Sequence, residues 1–214
     1  MNSAVLARRV LSGAIMVALL AAATFVHSKH ERDYDALYAP LGSSGSVGQT
    51  VTSGPFRMRV DKVTVAGSVT QGAYHGYGPP LRPAPSAIFV LVDGRIQADS
   101  EATKLPTVYL ESGGTHYAPS DKGTQTKFTD SIAEPGYWTT GTWLFEVPRD
   151  TLAGVRLVVS PRAVDDNPAP VRIFPHYGFE LSPQAEVDLG ITGAKADSFL
   201  AHPTQKAPYK EPSQ

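Results

Sequence analysis

The sequence predicts an antiparallel β-sandwich that follows one N-terminal hydrophobic segment. Residues 10–26 form an uncharged apolar run. From residue 47 onward, short stretches alternate between apolar and polar residues, which is typical of half-buried strands. Glycines and prolines, which favour turns, separate these stretches. The 214 residues include 19 glycines and 18 prolines. No stretch beyond Pro40 has a long apolar period of 3.6 residues, so we expect no long helix there.

The hydrophobic segment, residues 10–26, directly follows Arg8 and Arg9. At about 1.5 Å per residue it spans roughly 25 Å as a helix, slightly less than a bilayer core of about 30 Å. It predicts a membrane anchor over residues 1–27, with the N-terminus in the cytoplasm and the domain outside. Two alternatives stay open. Residues 21–23, all alanine, suit the cleavage site of a signal peptide, which would release the domain, or the segment is a buried helix of a soluble protein.

The remaining domain boundaries follow from composition. Residues 28–46 are predicted to be a juxtamembrane linker, because LGSSGS at 41–46 is typical of flexible linkers. The sandwich domain, with a C-terminal extension, is predicted over residues 47–190. Residues 191–214 contain few apolar side chains and are predicted to be a flexible tail.

The strands of the domain are predicted in chain order. The first covers residues 56–65, and a shift of its apolar phase at Asp61-Lys62 predicts a β-bulge. The uninterrupted apolar run AIFVLV at 87–92 predicts a central strand covered on both faces. Residues 108–117 predict a hairpin that turns at Ser112-Gly113-Gly114. Further strands are predicted at 143–147 and 155–159, ended by Pro148 and Pro161, with an edge element at 171–181.

Charge and cysteine content exclude several classes of function. The formal net charge is −1, so no basic field indicates nucleic-acid binding. The chain has no cysteine, which excludes disulfides and thiolate metal ligands. Neither a phosphate-binding loop nor a dinucleotide fingerprint occurs, so the sequence predicts no cofactor.

Polar residues show no catalytic or metal-binding spacing. His75, His116 and His176 are far apart in the sequence, so a metal site would have to assemble from distant loops. Residues 165–167, Asp-Asp-Asn, lack the glycine and the distal glutamate of a calcium loop and favour an exposed turn. Residues 120–121, Ser-Asp, lie outside any nucleophile elbow. No catalytic or metal-binding residue is therefore predicted.

Five residues on loops are predicted to contact a partner. Aromatic side chains bury a large area at little cost in rotamer entropy, which favours them at binding surfaces. The alternative is that they fold back and cover the rim of the core. The five are Tyr74, His75 and Tyr77 in a Gly/Pro-rich insertion at 71–85, and Tyr137 and Trp138 before the strand at 143–147.

Several motifs occur in an order that resembles a known family. They are VGQTV at 47–51, the strand at 56–65, IFVLV at 88–92, SGGTHY at 112–117, EPG at 134–136 and GTWLFEVP at 141–148. Together they resemble the bacterial immunoglobulin-like domain of unknown function numbered 4352, which is related in fold to a small secreted mycobacterial antigen. The resemblance covers about residues 47–160. It implies an immunoglobulin-like sandwich behind a membrane anchor or lipoprotein signal, and it implies no catalytic residue.

These observations predict a membrane-tethered, extracytoplasmic module that binds a ligand or partner without catalysis. The membrane is contacted through residues 10–26, and the partner is another envelope protein or a cell-surface ligand. One alternative is an accessory subunit of an envelope assembly, in which the anchor and the C-terminal extension make the contacts. A second alternative is a hydrolase whose site assembles only in space.

Overall fold

The computed structural model describes residues 13–26, 41–70, 79–104, 107–120, 122, 128, 131–160, 183–210 and 212–213. They belong to two compact units. The first contains helix α1 (residues 13–26), and the second is a β-rich unit that begins at Pro40. Among the described residues, no helix has both the length and the apolar character that a membrane crossing requires.

The described part of the β-rich unit contains strands of unequal length, a short 3-10 helix and an α-helix. They are β1 Leu41–Ser46, β2 Thr50–Ser53, β3 Phe56–Ala66, β4 Val69–Thr70, β5 Ala87–Ala98, β6 Thr103–Lys104, β7 Thr107–Ser112, β8 Thr115–Tyr117, β9 Ile132–Ala133, β10 Thr139–Pro148, the 3-10 helix Arg149–Thr151, β11 Arg156–Ser160, β12 Pro183–Asp188, α2 Gly193–Ala201 and β13 Ala207–Pro208.

Two sheets form the predicted β-sandwich. One has the strand order β1-β12-β11-β7-β8 and the other has the order β10-β5-β3-β2. Neighbouring strands in both sheets are antiparallel except β1 and β12, which are parallel. The prediction of a β-sandwich is confirmed, and the β1–β12 pair adds a parallel contact that the strand pattern did not predict.

The core lies between the two sheets and is built from alternating positions of their strands. β3 contributes Phe56 and Met58, and β10 contributes Trp143 and Phe145. The opposite sheet contributes Leu157 of β11. All of these side chains are almost completely buried. Full burial of a large apolar side chain stabilises a protein by about 1.5–3 kcal/mol, so this core holds the two sheets together.

The predicted bulge and hairpin are both confirmed. Val60 pairs with Gly94 and Lys62 pairs with Asp93, so Asp61 is the additional residue of the bulge. In the hairpin, Ser112 of β7 pairs with Thr115 of β8. The two glycines between them have φ values of 56° and 79°. A two-residue turn with positive φ at both positions matches the right-handed twist of the flanking strands.

The central strand β5 is covered on both faces, as predicted. Ile88, Val90 and Val92 face the core between the sheets, whereas Phe89 and Leu91 belong to a second apolar cluster on the other face. Alternating residues of a strand point to opposite faces, so an uninterrupted apolar run requires two covers.

The second cover comes from the chain's C-terminus, which corrects the prediction of a flexible tail over residues 191–214. Residues 193–201 form α2, and β13 pairs in parallel with β4. Ala207 and Tyr209 are buried in the second apolar cluster. These residues include few apolar side chains, but the apolar ones contact an apolar face of the folded sheet. Composition alone does not reveal this contact.

The predicted linker also requires correction, because residues 41–46 form strand β1 beside β12. Strand pairing uses backbone groups, so a Gly/Ser sequence can form it without apolar side chains. A Cβ atom on Gly45 would lie 2.5 Å from Cγ2 of Val51. The glycine therefore permits a close approach to β2 that a larger residue would prevent. The β-rich unit therefore includes residues 41–46, ahead of the predicted boundary at residue 47.

Candidate binding surfaces

The loop that joins β9 to β10 presents two of the predicted contact residues. Tyr137 is 66% exposed, and Trp138 is partly buried. Ile132, two residues before Glu134, is 48% exposed, and these three side chains are named the loop surface below. Of the two aromatic residues of this loop, Tyr137 is therefore the more exposed.

Local contacts fix the conformation of this loop. Ala133 is buried in the core, and the Thr139 hydroxyl donates a hydrogen bond to the Ile132 carbonyl at 3.2 Å. Gly136 has a φ of 82°, a left-handed conformation that glycine adopts without steric cost. The Tyr137 N–H donates to the Glu134 carbonyl at 3.5 Å. Tyr137 is thus presented on a defined turn.

Tyr74, His75 and Tyr77 lie outside the described residues, and the strand that follows them in the chain, β5, begins at Ala87. Thr139 at the start of β10 pairs with Ile96, whereas Pro148 at its end pairs with Ala87, just after the insertion. At about 3.3 Å per residue, these two ends of β10 are roughly 30 Å apart. The described flank of the insertion and the loop surface are therefore at opposite ends of β5 and β10.

The other predicted polar residues are not gathered into one site within the described part of the chain. His116 is exposed on β8, and its ring centroid lies 4.4 Å from that of Tyr109. Ser120 accepts a hydrogen bond from the Lys122 N–H at 3.3 Å. The described residues contain no group of three metal-ligating side chains. His75, His176, Asp121 and residues 165–167 lie outside the described residues.

An ionic network occupies the outer face of the larger sheet, near Tyr109. Arg156 donates to Glu111 at 2.8 Å and to Glu186 at 3.1 Å. The hydrogen bond and the charge of Glu111 raise the pKa of Arg156. Burial raises the pKa of the Tyr109 hydroxyl, and the negative charges of Glu111 and Glu186 raise it further. This network cross-links β7, β11 and β12 on their outer face.

A cleft of about 460 Å³ opens where β1 ends, β3 bulges and α2 begins. We name it the α2 cleft. Thr192 caps α2, because its hydroxyl oxygen accepts a hydrogen bond from the Lys195 N–H, which satisfies one free N–H of the first turn. The cleft is lined by Ser46, Val47, Asp61, Lys62, Val63, Asp188, Leu189, Gly190, Ile191, Lys195 and Phe199.

None of the residues lining the α2 cleft belongs to the predicted contact set. The lining residues come from three segments of the chain, and the fold brings these segments together. The only sequence signal for its helical side is Thr192 before GAKADSFLA, a capping residue followed by several helix-forming residues.

Comparisons with known proteins gave two similar solved structures. No family model matches the chain, and no curated protein matches it significantly. A solved structure of a conserved hypothetical protein from Bacillus anthracis is 17% identical, covers 54% of this chain and 88% of its own, and has a TM-score of 0.40. An uncharacterised β-sandwich protein from Clostridium difficile 630 is 10% identical, covers 69% and 93%, and has a TM-score of 0.41.

Proposed function

We propose that the protein is a membrane-tethered, extracytoplasmic binding module of immunoglobulin-like fold that acts without catalysis. The observation that carries this proposal is the exposure of α1. Seven large apolar side chains of this helix are 53–74% exposed. They are Ile15, Met16, Val17, Leu19, Leu20, Phe25 and Val26.

The apolar side chains of α1 are distributed around the helix. At roughly 100° per residue, Met16, Val17 and Phe25 point to three different sides. A helix that is apolar all round requires a protein interior or a membrane around it. The apolar run of the sequence extends to residue 10, and modest bilayer thinning accommodates a short hydrophobic segment. These features support anchoring through residues 10–26.

Membrane fractionation tests the tether. The full chain should stay in the membrane pellet after alkaline extraction. Leu19→Arg with Leu20→Arg should move it to the soluble fraction, because each arginine near a helix centre costs about 2.5–3.5 kcal/mol of insertion free energy. The control is Ile132→Arg, at an apolar position of the β-rich unit that is 48% exposed, which should leave the protein in the pellet.

A soluble wild-type chain would contradict the tether. N-terminal sequencing then separates the alternatives, because a chain beginning after residue 23 indicates a cleaved signal. The orientation is tested with a reporter enzyme that is active only outside the cytoplasm, fused after Gln214. The proposed orientation gives an active reporter.

The loop surface is proposed to contact the partner, because Tyr137 is exposed on a turn with fixed geometry. A photo-crosslinking residue at position 137 should give a discrete cross-linked product in native membranes. The same residue at position 206, where the side chain of Lys206 is exposed, should give none. Equal products at both positions would contradict a specific surface at the loop.

A further inference from the structure

The α2 cleft has the size of a small-molecule site and is separate from the loop surface. Its volume of about 460 Å³ lies within the roughly 300–1,000 Å³ typical of ligand pockets. None of its lining residues takes part in the proposed tether or loop contact. Ligand binding in this cleft would therefore not depend on the proposed tether or on the proposed loop contact.

One side of the cleft is apolar and in contact with solvent. Val47 is 36% exposed, and Val63 and Phe199 are partly buried against the main core. Leu189 and Ile191 lie beneath them and are buried. The apolar part of a ligand would gain about 25 cal/mol for each Å² that it removes from water here.

The two carboxylates of the cleft already have partners. Asp61 pairs with Arg59 at 3.0 Å and with Arg95 at 2.8 Å. Asp188 accepts a hydrogen bond from the Gly190 N–H at 2.8 Å. Among the lining residues, Lys62 and Lys195 balance Asp61 and Asp188, and the two arginines paired with Asp61 lie outside the lining.

Lys195 supplies a positioned cation that lacks a carboxylate partner within the described part of the chain. Its ammonium donates to the Gly190 carbonyl at 3.0 Å, and Gly190 itself lines the cleft. An ammonium group has three donors, so two remain for a ligand. The carbonyl contact holds the charge at the rim, beside the apolar wall.

We propose that the α2 cleft binds a small organic carboxylate, with its apolar body against Val47, Val63 and Phe199 and its carboxylate on the Lys195 ammonium. The Lys195 ammonium, which has no carboxylate partner in the described part of the chain, selects an anion. The apolar wall selects a ligand with a hydrocarbon body over a small inorganic ion.

Binding of 3-phenylpropionate to the full-length chain tests this site. The protein is used in nanodiscs if it is recovered from membranes and in buffer if it is soluble, with a matched blank. Saturable binding by calorimetry is expected, and the uncharged 3-phenylpropionamide and acetate should both bind more weakly. Lys195→Gln should weaken phenylpropionate binding about fivefold, as expected for a partly exposed ion pair, and Lys195→Arg should restore most of it.

Two matched variants locate the effect. Lys206→Gln removes an exposed lysine outside the cleft and should leave binding unchanged. Val47→Ser should weaken binding about fourfold, in line with the loss of roughly 0.8 kcal/mol per buried methylene. Each variant is first shown to unfold at the wild-type temperature. Absence of saturable binding, equal binding of acid and amide, or an unchanged affinity in Lys195→Gln overturns the proposal, whatever the loop and fractionation tests show.

Discussion

Gly94 on β5 leaves the space that the indole ring of Trp143 fills. A Cβ atom at this position would lie 2.8 Å from Cζ3 of Trp143 and 2.9 Å from the Arg59 carbonyl oxygen. The second contact is with backbone of the neighbouring strand, which cannot move without disturbing the sheet.

Gly94→Ala should therefore lower the free energy of unfolding by about 2 kcal/mol, as overpacked cores do. The matched variant is Gly67→Ala, whose Cβ would meet nothing closer than Cγ of Pro203 at 3.9 Å. Its effect should stay within about 0.5 kcal/mol. Urea denaturation measures both, and equal losses would show that the close approach at Gly94 does not limit stability.

Glu146 on β10 links two loops to the outer face of the smaller sheet. It pairs with Lys122 at 2.7 Å and accepts from the Ala84 N–H at 2.6 Å. The Lys122 ammonium also lies 5.9 Å from the centre of the Phe89 ring. Burial alone would raise the pKa of Glu146, but these hydrogen bonds and the Lys122 charge outweigh it and hold the pKa below its ordinary 4.5.

This lowered pKa predicts a loss of stability in acid. A carboxylate with a depressed folded-state pKa stabilises the fold fully above its unfolded pKa, and the contribution disappears as the pH falls through the folded value. Glu146→Gln should cost about 1 kcal/mol near pH 7. The difference from wild type should shrink below pH 4.5. Glu134→Gln, at an exposed position, is the control, and a difference independent of pH would contradict the role of the ion pair.

At the scale of the element, the C-terminal segment (residues 202–213) acts as part of the sandwich. Its backbone forms hydrogen bonds with the end of β3 and with the start of β4. The Thr204 N–H donates to the Val65 carbonyl at 3.0 Å, and the Ala207 N–H donates to the Ser68 carbonyl at 3.0 Å. The Ser68 hydroxyl also donates to the Gln205 carbonyl. The segment then reaches Thr140 of β10, where Ser213 pairs with it in both directions.

Tyr209→Ala should destabilise the protein by about 3 kcal/mol, because it leaves a cavity over the outer face of the sheet. Lys206 on the same segment has an exposed side chain, so Lys206→Ala should change stability by less than about 0.5 kcal/mol. Thermal unfolding compares the two. A Tyr209→Ala variant as stable as wild type would show that the segment is dispensable for the fold.

The two corrected boundaries have a common physical cause. The residues that form β1 are glycine and serine in the main, and those of the C-terminal segment are mostly polar. Neither segment has an apolar period, so neither predicts a regular element. Each is ordered by backbone pairing to a surface that other parts of the chain build, and that surface is absent from the local sequence.

At the scale of the whole molecule, pairing between distant parts of the chain closes the β-rich unit. β1 pairs with β12, so the start of the unit is held by a strand near its end. The outer edge of β10 is covered by bridges from Pro119 to Phe145 and from Ser213 to Thr140. Covered edges limit pairing with other chains, and long-range contacts of this kind favour cooperative unfolding.

We expect the core and the C-terminal segment to unfold in one transition. The chain has two tryptophans and no cysteine, so Trp138→Phe leaves Trp143 as the reporter of the core. A fluorophore on Lys206→Cys then reports release of the segment. Coincident urea transitions are expected, and release of the segment at a lower urea concentration would contradict a single cooperative unit.

Local patterns in the sequence predicted the β-sandwich, the bulge at Asp61, the Gly113-Gly114 hairpin and the double burial of β5. Each of these depends on the alternation of neighbouring residues or on the backbone freedom of glycine, and both are local properties that the sequence displays directly. The sequence left open whether Tyr137 is exposed or covers the rim of the core, because that depends on the packing around the loop.

Three arrangements are visible only in the folded chain. Residues 41–46 form a strand, the C-terminal segment covers the smaller sheet, and Lys195 and Phe199 meet Val47 and Val63 in one cleft. These arrangements join residues that lie far apart in the sequence. The free energy that fixes them comes from surfaces that exist only after the sheets have formed, so no local pattern of residues encodes them.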